Sequence, residues 1–183
     1  MLLVREGEKP QVVAKAQAGD RAAFNELVLM YRGRVMTWAY RLVSSRSLAE
    51  DVAQEVFARV YEGLARFRGE SKFSTWLFRV TINCCRDILK SPRAFFEVAD
   101  EPSVLNAASV ADPEQTASES QRSKRLAEAL KKLTPEYREA FLGRFLEDLS
   151  FDELAWATHQ SVSSAKMRVH RAVIQLKGIL EAK

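Results

Sequence analysis

Apolar residues recur three and four positions apart along most of this chain, the spacing that places them on one face of a helix. Glycine and proline are scarce except in residues 92–120, where no long apolar stripe is present. The pattern therefore predicts an all-α protein in which two small helical domains, residues 1–91 and 121–183, are joined by a linker at residues 92–120.

The first domain is predicted to contain four helices, at roughly 12–18, 20–43, 47–67 and 74–91. Asp20 is expected to cap the second helix. Ser47 and Glu50 have the spacing of a capping box and are expected to begin the third. The buried stripe of that third helix is predicted to be Leu48, Val52, Val56, Val60 and Leu64.

The second domain is predicted to end in a helix-turn-helix. A first periodic stretch covers 121–133, and Thr134–Pro135 then supplies an N-cap and a proline at the first helical position. Ser150 and Glu153 form another capping-box spacing, which predicts a short helix, a polar turn and a longer helix over about 162–180. This arrangement is typical of duplex DNA binding.

Charge separates the linker from the rest of the chain. Residues 92–120 contain six acidic groups and one arginine, a net charge of −5. Because the whole chain carries +4, the residues outside this segment carry +9. A basic excess at both ends favours domains that bind a polyanion, joined by a segment with another role.

Several classes of protein are disfavoured. The chain of 183 residues has only two cysteines, the neighbours Cys84 and Cys85, which predict neither a disulfide nor a metal site. No apolar run is long enough to cross a bilayer, and no export signal is visible, so a cytoplasmic location is expected. No phosphate-binding glycine loop is present, and we expect no cofactor and no metal.

Two helices of the first domain have faces of opposite charge. Asp51, Gln54 and Glu55 fall off the buried stripe of the third helix, as either a solvated acidic face or a surface for a protein partner. The fourth helix has an outward ridge of Arg79, Asn83, Arg86 and Lys90 opposite the inward residues Leu77, Val80, Cys84 and Ile88. Such a ridge either meets solvent or follows a phosphate backbone.

The last helix resembles a recognition helix, because its apolar residues lie on one side and its polar residues on the other. Val162, Ala165, Val169, Ala172, Val173 and Leu176 are predicted to face inward. The polar and exposed positions concentrate near its amino end, where recognition helices meet base edges. They are Ser163, Ser164, Lys166, Met167, His170 and Arg171.

Taken together, these segments resemble the extracytoplasmic-function sigma factors, the small group of the sigma-70 family. Ala49–Phe57 is similar to region 2.2, and Phe67–Asn83 to the segment that handles the −10 element. Three further segments are similar to region 4: Leu133–Glu139, Leu149–Ala155 and Lys166–Ala172. The resemblance implies a region 2 bundle and a region 4 helix-turn-helix.

The resemblance also implies residue roles. Asp51, Gln54 and Glu55 match the surface that docks on the clamp of the largest subunit of core RNA polymerase. The implied −10 contacts are Arg68, Gly69, Glu70, Ser71, Lys72, Phe73, Trp76, Arg79, Asn83 and Arg86, with residues 68–72 as the loop that captures a flipped base. The implied −35 contacts are Ser163, Ser164, Lys166, Met167, Arg168, His170 and Arg171.

Two departures from the family pattern affect region 4. The turn, usually built around a glycine, is Thr158–Gln160 here, and it is feasible because histidine tolerates the left-handed conformation better than most residues. Met167 stands where a small serine is usual. Both departures concern the −35 element and leave region 2 unchanged.

The predicted function is that of an alternative sigma factor that brings RNA polymerase to particular promoters in response to an envelope or environmental signal. The implied partners are core polymerase, promoter DNA and an anti-sigma factor, with no membrane insertion and a monomeric free chain. Two alternatives stay open at this point: a conventional helix-turn-helix regulator, and a decoy that binds an anti-sigma factor without reading DNA. An enzyme is disfavoured because docking and capping account for the paired carboxylates.

Overall fold

The computed structural model describes the backbone of residues 9–92 and 116–182, and within 116–124 it describes only the side chain of residue 121. In the described part of the first domain there are four helices, of which the third continues into a 3₁₀ turn at Leu64–Arg66. The second domain comprises four helices in its described part, with a π-helical turn at Leu142–Leu146. In chain order the helices are α1 Pro10–Gln17, α2 Arg21–Val43, α3 Arg46–Gly63, α4 Phe73–Leu89, α5 Thr116–Lys131, α6 Pro135–Phe141, α7 Phe151–Thr158 and α8 Val162–Glu181.

This architecture confirms the all-α prediction, since the described residues contain helices and turns but no strand. The limits of α2 and α8 agree with the sequence pattern to within a residue or two. The helix α5 begins at Thr116, inside the segment predicted as a linker. Residues 93–115 of that segment lie outside the described residues.

The core of the first domain lies where α2, α3 and α4 meet. The predicted stripe of α3 is confirmed, because all five of its members are at most 2% exposed. Trp38 of α2 packs edge-on against Phe78 of α4, with ring centroids 5.2 Å apart. Burial of these apolar side chains supplies most of the driving force for the bundle.

The helix caps show which start signals were interpreted correctly. Asp20 accepts hydrogen bonds from the N–H groups of Ala22 and Ala23, as expected for the cap of α2. The capping-box prediction at Ser47 is wrong, because α3 begins two residues earlier, with Ser45 accepting from Leu48 N–H at 3.3 Å. Ser45 and Ser47 both have the right chemistry, and the left-handed Ser44 before them fixes the earlier start.

The helix-turn-helix is confirmed in its local chemistry. Ser150 and Glu153 form a complete capping box at the start of α7. His159 has φ of 58°, the left-handed conformation that histidine tolerates better than most residues, so the turn forms without a glycine. Of the predicted inward residues of α8, Val173 is the exception: it is 40% exposed. It lies at the edge of the buried stripe.

The two domains pack against each other. Gly143, in the π-helical turn, allows close approach, because a Cβ there would lie 2.6 Å from Leu154 Cδ1 and 3.1 Å from Phe78 Cε1 of the first domain. The buried apolar residues of the two domains form one continuous core. Region-by-region sequence patterns do not predict that continuity.

A buried arginine joins the domains at the ends of two helices. The guanidinium of Arg138, in α6, donates to the carbonyls of Leu130, Lys131 and Leu133 at the end of α5. It also donates to the carbonyl of Leu42, at 2.6 Å, at the end of α2. Because the last carbonyls of a helix have no intrahelical partner, one side chain stabilises two helix ends from different domains.

Candidate nucleic-acid interface

The acidic face of α3 is open to solvent. Gln54 and Glu55 are exposed, and Asp51 is half-buried beside them. Glu55 accepts a hydrogen bond from Arg59 at 2.7 Å, and Arg59 also pairs with Asp87 of α4 at 2.8 Å. The three predicted residues therefore lie together on one face, which a protein could reach without rearrangement of the fold.

Hydrogen bonds from α1 fix the chain that leads into the loop at residues 68–72. The Gln17 amide donates to the carbonyl of Leu64 at 3.2 Å and to that of Phe67 at 2.6 Å, which fixes the chain just before the loop. Gly69 has φ of 70°, a conformation that favours glycine. The side chains of Arg68, Glu70 and Lys72 are exposed, and Ser71 is half-buried. The loop thus presents its polar groups to solvent.

The aromatic residues after the loop divide into two kinds. Phe73 is 4% exposed and packs edge-on against Tyr31, with centroids 5.2 Å apart, so its ring lies in the core. Trp76 is half-buried and lies 5.1 Å from the ring of Phe67. Trp76 is thus partly accessible close to the loop, whereas Phe73 lies in the core.

The ridge of α4 is covered by the second domain. The sequence pattern predicts Arg79, Asn83 and Arg86 as an outward face, but all three are half-buried, and only Lys90 of the ridge is exposed. The guanidinium of Arg79 lies over the indole of Trp156 in α7, 4.4 Å from the ring centroid. The expectation of a solvent-facing ridge is therefore wrong, because α6 and α7 pack on it.

Arg86 makes the most direct contact across this interface. It forms a two-pronged ion pair with Glu139 of α6, Nε to Oε1 at 2.8 Å and Nη2 to Oε2 at 2.6 Å. The Glu139 side chain is 4% exposed, and burial raises the pKa of its carboxyl, an effect that Arg86 only partly opposes. Pairing with Glu139 raises the pKa of Arg86 in turn.

A cavity of about 380 Å³ lies between the loop, α4 and α7. Its walls contain three arginines, three aromatic residues and an amide: Arg66, Arg68, Arg79, Phe67, Trp76, Trp156 and Asn83, together with Glu70 and Val80. Cations and flat aromatic surfaces are the groups that bind single-stranded nucleic acid. The cavity therefore brings together five of the predicted −10 residues, Arg68, Glu70, Trp76, Arg79 and Asn83, with Trp156 as an additional wall. Gly69, Ser71, Lys72, Phe73 and Arg86 do not line it.

A carboxylate of the second domain strengthens the same interface. Glu147 is 8% exposed, accepts a hydrogen bond from Trp38 Nε1 at 2.6 Å and forms an ion pair with Arg34. Sequence reasoning missed Arg138, Glu139, Glu147 and Trp156. Their partners across the interface lie far away in the chain, 53 residues away for the Glu139 pair, so no local sequence pattern points to these contacts.

The recognition helix α8 presents its amino-terminal half to solvent. Ser163, Lys166, Met167, His170 and Arg171 are exposed, whereas Ser164 and Arg168 are half-buried. The Ser164 backbone N–H donates to the capping Ser161, and its hydroxyl donates to Gln160 at 2.8 Å, so Ser164 also stabilises the helix start. Lys166 lies 5.7 Å from the ring centroid of Phe151. Five of the seven predicted −35 residues are thus open to solvent, and Ser164 and Arg168 lie at the edge of that surface.

Other chemistry is limited in the residues that the structure describes. Both cysteines are buried and unpaired, and burial raises the pKa of Cys84 to about 11. Within residues 9–92 and 116–182 no cluster of side chains could hold a metal ion. In the same part of the chain, no helix is long and apolar enough to cross a membrane.

Comparisons with known proteins agree with this arrangement. Residues 27–94 match the model of sigma-70 region 2, and residues 123–176 match a model of sigma-70 region 4. The RNA polymerase sigma-H factor of Pseudomonas aeruginosa is 28% identical over 93% of this chain and 92% of its own length. The ECF RNA polymerase sigma factor SigE of Mycolicibacterium smegmatis is 32% identical over 97% of this chain and 70% of its own length.

A solved structure has a similar fold. The structure of CnrH in complex with the cytosolic domain of CnrY is 26% identical in sequence, with a TM-score of 0.67 over 94% of this chain and 97% of CnrH. The acidic face of α3 and the cavity beside α4 thus lie in the part of the chain that matches region 2, and the helix-turn-helix lies in the part that matches region 4. The chain therefore belongs to the ECF RNA polymerase sigma factors, a family of transcription regulators.

Proposed function

We propose that this sigma factor docks on the clamp of core polymerase through α3, reads and opens the −10 element through α4 and its preceding loop, and reads the −35 element through α8. The observation that carries the proposal is the charge on three helices: an acidic face on α3, a cationic row on α4 that the second domain half-covers, and an exposed cationic face on α8. The acidic face is complementary to a basic surface of a protein partner, and the cationic faces are complementary to the phosphate backbone of nucleic acid.

The polymerase contact is assigned to Asp51, Gln54 and Glu55. Their accessibility supports this role, because the face needs no unfolding or domain movement before docking. The ion pair of Glu55 with Arg59 is exposed, so exchanging it for a contact with a basic polymerase surface costs little.

The −10 contact is assigned to the loop at 68–72 together with Trp76, Arg79, Asn83 and Arg86. The cavity beside the loop supports capture of an unstacked base, with arginines on the adjacent phosphates. Phe73 would stabilise the loop from within the core and would not contact DNA, because its ring is buried. Opening would be driven by binding energy, without nucleotide hydrolysis and without catalysis by this chain.

The −35 contact is assigned to the exposed residues of α8, with Lys166, Arg168 and Arg171 as the leading cations. Their place in the first half of the second helix of a helix-turn-helix supports contact with the major groove. Met167 is 50% exposed and would offer an apolar contact to a base edge.

An anti-sigma factor responding to an envelope or environmental signal is the proposed regulator, and we propose that the free chain is a monomer in the cytoplasm. Membership of the ECF family supports the regulator, as does the solved complex of the similar CnrH with the cytosolic domain of CnrY. Residues 1–91 and 121–183 are proposed to act as the two functional units on either side of residues 92–120.

The test is capture of purified core polymerase by the tagged chain, comparing wild type with the double reversal Asp51→Lys/Glu55→Lys. We expect wild type to retain polymerase and the variant to lose at least tenfold in affinity, because like charges replace complementary ones at the docking face. Circular dichroism would check that the variant remains helical.

The matched control is a double reversal at Glu26 and Glu128, two partly exposed carboxylates away from this face. It makes the same change in net charge and should leave capture unchanged. Failure of well-folded wild type to bind polymerase would contradict the proposed function. Equal loss in both double variants would show a net-charge effect in place of a docking surface.

A further inference from the structure

The cavity beside α4 is lined in part by chain that lies outside the α-helices. Arg66, Phe67, Arg68 and Glu70 come from the short stretch between α3 and α4, whereas the other lining residues belong to α4 and α7. A helix is held by its own backbone hydrogen bonds, but the position of a loop depends on the groups that anchor its ends. The shape of the cavity therefore depends on how residues 66–70 are anchored.

The carboxy-terminal end of this stretch is anchored by α4. The N–H group of Trp76 donates to the carbonyl of Lys72 at 3.0 Å, and the ring of Phe73 is 4% exposed. Both contacts lie beyond the residues that line the cavity. They fix where the loop ends, and they leave the position of its first residues to be set from the other side.

The amino-terminal end is anchored by Gln17, the last residue of α1. Its side-chain amide donates to the carbonyl of Leu64 at 3.2 Å and to that of Phe67 at 2.6 Å, across 47 and 50 residues of chain. A primary amide has two N–H groups, which suits it to two carbonyls on neighbouring turns of chain. The Phe67 ring lies 5.1 Å from that of Trp76, so the same contact also constrains an aromatic pair in the cavity wall.

Gln17 is itself held in place by the end of its helix. The N–H of Gly19 donates to Ala16, and that of Asp20 donates to Lys15, with Gly19 at φ of 91°. These two hydrogen bonds form a Schellman motif, which ends α1 sharply. Asp20 then caps α2. The donor thus belongs to a rigid corner between two helices, and α1 precedes residues 27–94, which match region 2.

We propose that Gln17 is a positioning residue for −10 recognition: it sets the place of residues 66–70, so that an unstacked base meets a wall that is already formed. The inference rests on the proposed −10 role of the loop. Gln17 acts through the backbone of Leu64 and Phe67 and does not contact DNA. A wall that is ordered before binding strengthens binding, because its ordering is not then an additional cost.

A set of substitutions separates hydrogen bonding from packing. Gln17→Met keeps nearly the same size without a donor, and Gln17→Glu places an acceptor against two carbonyls. Gln17→Lys restores donors on a side chain of similar reach. The matched controls are Gln11→Glu and Gln11→Lys, which make the same charge changes at an exposed glutamine of the same helix.

The first measurement is the order of the loop in the free chain, which requires neither polymerase nor DNA. A spin label would be attached at Arg68→Cys, an exposed position directly after Phe67. The native cysteines are 0% and 2% exposed and should stay unlabelled. We expect slow motion of the label with Gln17 present, a mobile component in the Met and Glu variants, and slow motion again in the Lys variant.

The second measurement is the binding of forked DNA by polymerase reconstituted with each variant. The probe is a set of forks, with a single-stranded non-template segment, that wild-type holoenzyme enriches from a randomised pool. Gln17→Met should weaken fork binding by about tenfold, as expected when two hydrogen bonds no longer order the loop. Gln17→Glu should weaken it further, and Gln17→Lys should stay within about threefold of wild type. Capture of core polymerase should be the same for all of them.

Arg68→Ala is included so that the positioning role and the proposed function can fail separately. Weaker fork binding in Arg68→Ala with unchanged binding in Gln17→Met would overturn the role of Gln17 and leave the function of the loop intact. Unchanged binding in both would overturn the −10 role of the loop and the inference with it. Equal losses in the Met, Glu and Lys variants would also overturn the inference, because packing would then matter and donors would not. Circular dichroism checks folding, and if the Met variant is unfolded the contrast between Glu and Lys decides.

Discussion

The α4 ridge and the first half of α8 are both basic helix faces, yet they meet different surroundings. Arg79 and Arg86 of α4 are engaged by an indole and a carboxylate of the other domain. Lys166, His170 and Arg171 of α8 are exposed. Two faces with similar sequence patterns are thus held in different states, one covered and one ready to bind.

The difference shows that a row of cations off a buried stripe has a third interpretation besides a solvated face and a nucleic-acid surface. On α4 a cation pairs with a group of the same chain: Arg86 neutralises the carboxylate of Glu139, whose side chain is almost completely buried. The experiments below test whether this contrast is as large in solution as in the structure.

The largest effect is expected from Arg138→Leu. The substitution leaves carbonyls at the ends of α2 and α5 buried without a donor, so the free energy of unfolding should fall by about 3 kcal/mol or more. Urea unfolding followed by circular dichroism would measure it. Arg21→Leu, at an exposed arginine, is the matched control and should change stability by less than about 0.5 kcal/mol. Equal stability of the two variants would contradict the role assigned to Arg138.

An intermediate effect is expected from Gly143→Ala. The added methyl group would meet Leu154 and Phe78, so the free energy of unfolding should fall by about 1–3 kcal/mol. Gly178→Ala in α8 has open space around its Cβ and should stabilise by up to about 1 kcal/mol. Thermal unfolding of both variants would measure the contrast. A neutral Gly143→Ala would indicate that the space around this glycine is looser in solution than in the structure.

A smaller effect distinguishes the two basic faces directly. For the free chain binding random duplex DNA, Arg171→Ala should reduce the slope of log affinity against log salt by about 1, because one exposed phosphate contact is lost. Arg86→Ala should change that slope much less, since Glu139 already occupies the guanidinium. Fluorescence anisotropy across a salt series gives both slopes. Equal reductions would show that the α4 ridge is accessible.

The smallest effect is a shift in one titration. The pKa of His159 lies below its ordinary value because of burial and because Arg79 and Arg86 oppose a further positive charge. Since the folded chain then binds fewer protons than the unfolded one, this residue favours folding above the ordinary histidine pKa and less as pH falls below it. NMR titration should show a higher His159 pKa in Trp156→Ala than in wild type.

Local chemistry made much of the fold predictable. The apolar stripe of α3, the cap at Asp20, the capping box at Ser150 and the left-handed turn at His159 depend on residues within a few positions of each other. The prediction at Ser47 was wrong for a local reason also, since Ser45 could serve equally well and the conformation of the preceding residue decided between them.

The candidate site was predictable in composition but not in exposure. The sequence pattern placed Arg79, Asn83 and Arg86 on one ridge of α4, and the structure has them there. It could not show that Glu139 and Trp156 cover the ridge, because contacts between residues 53 or more positions apart leave no periodic signal. Matching of charges across a domain interface is a property of tertiary packing.

The placement of Arg138 has a consequence for heat-induced unfolding. Its guanidinium is shared by the last carbonyls of α2 and α5, so neither helix end can lose its partner without affecting the other domain. Calorimetry of the free chain should therefore record one cooperative transition, with the calorimetric enthalpy equal to the van't Hoff enthalpy. Two small bundles that could each melt independently would behave as a single thermodynamic unit.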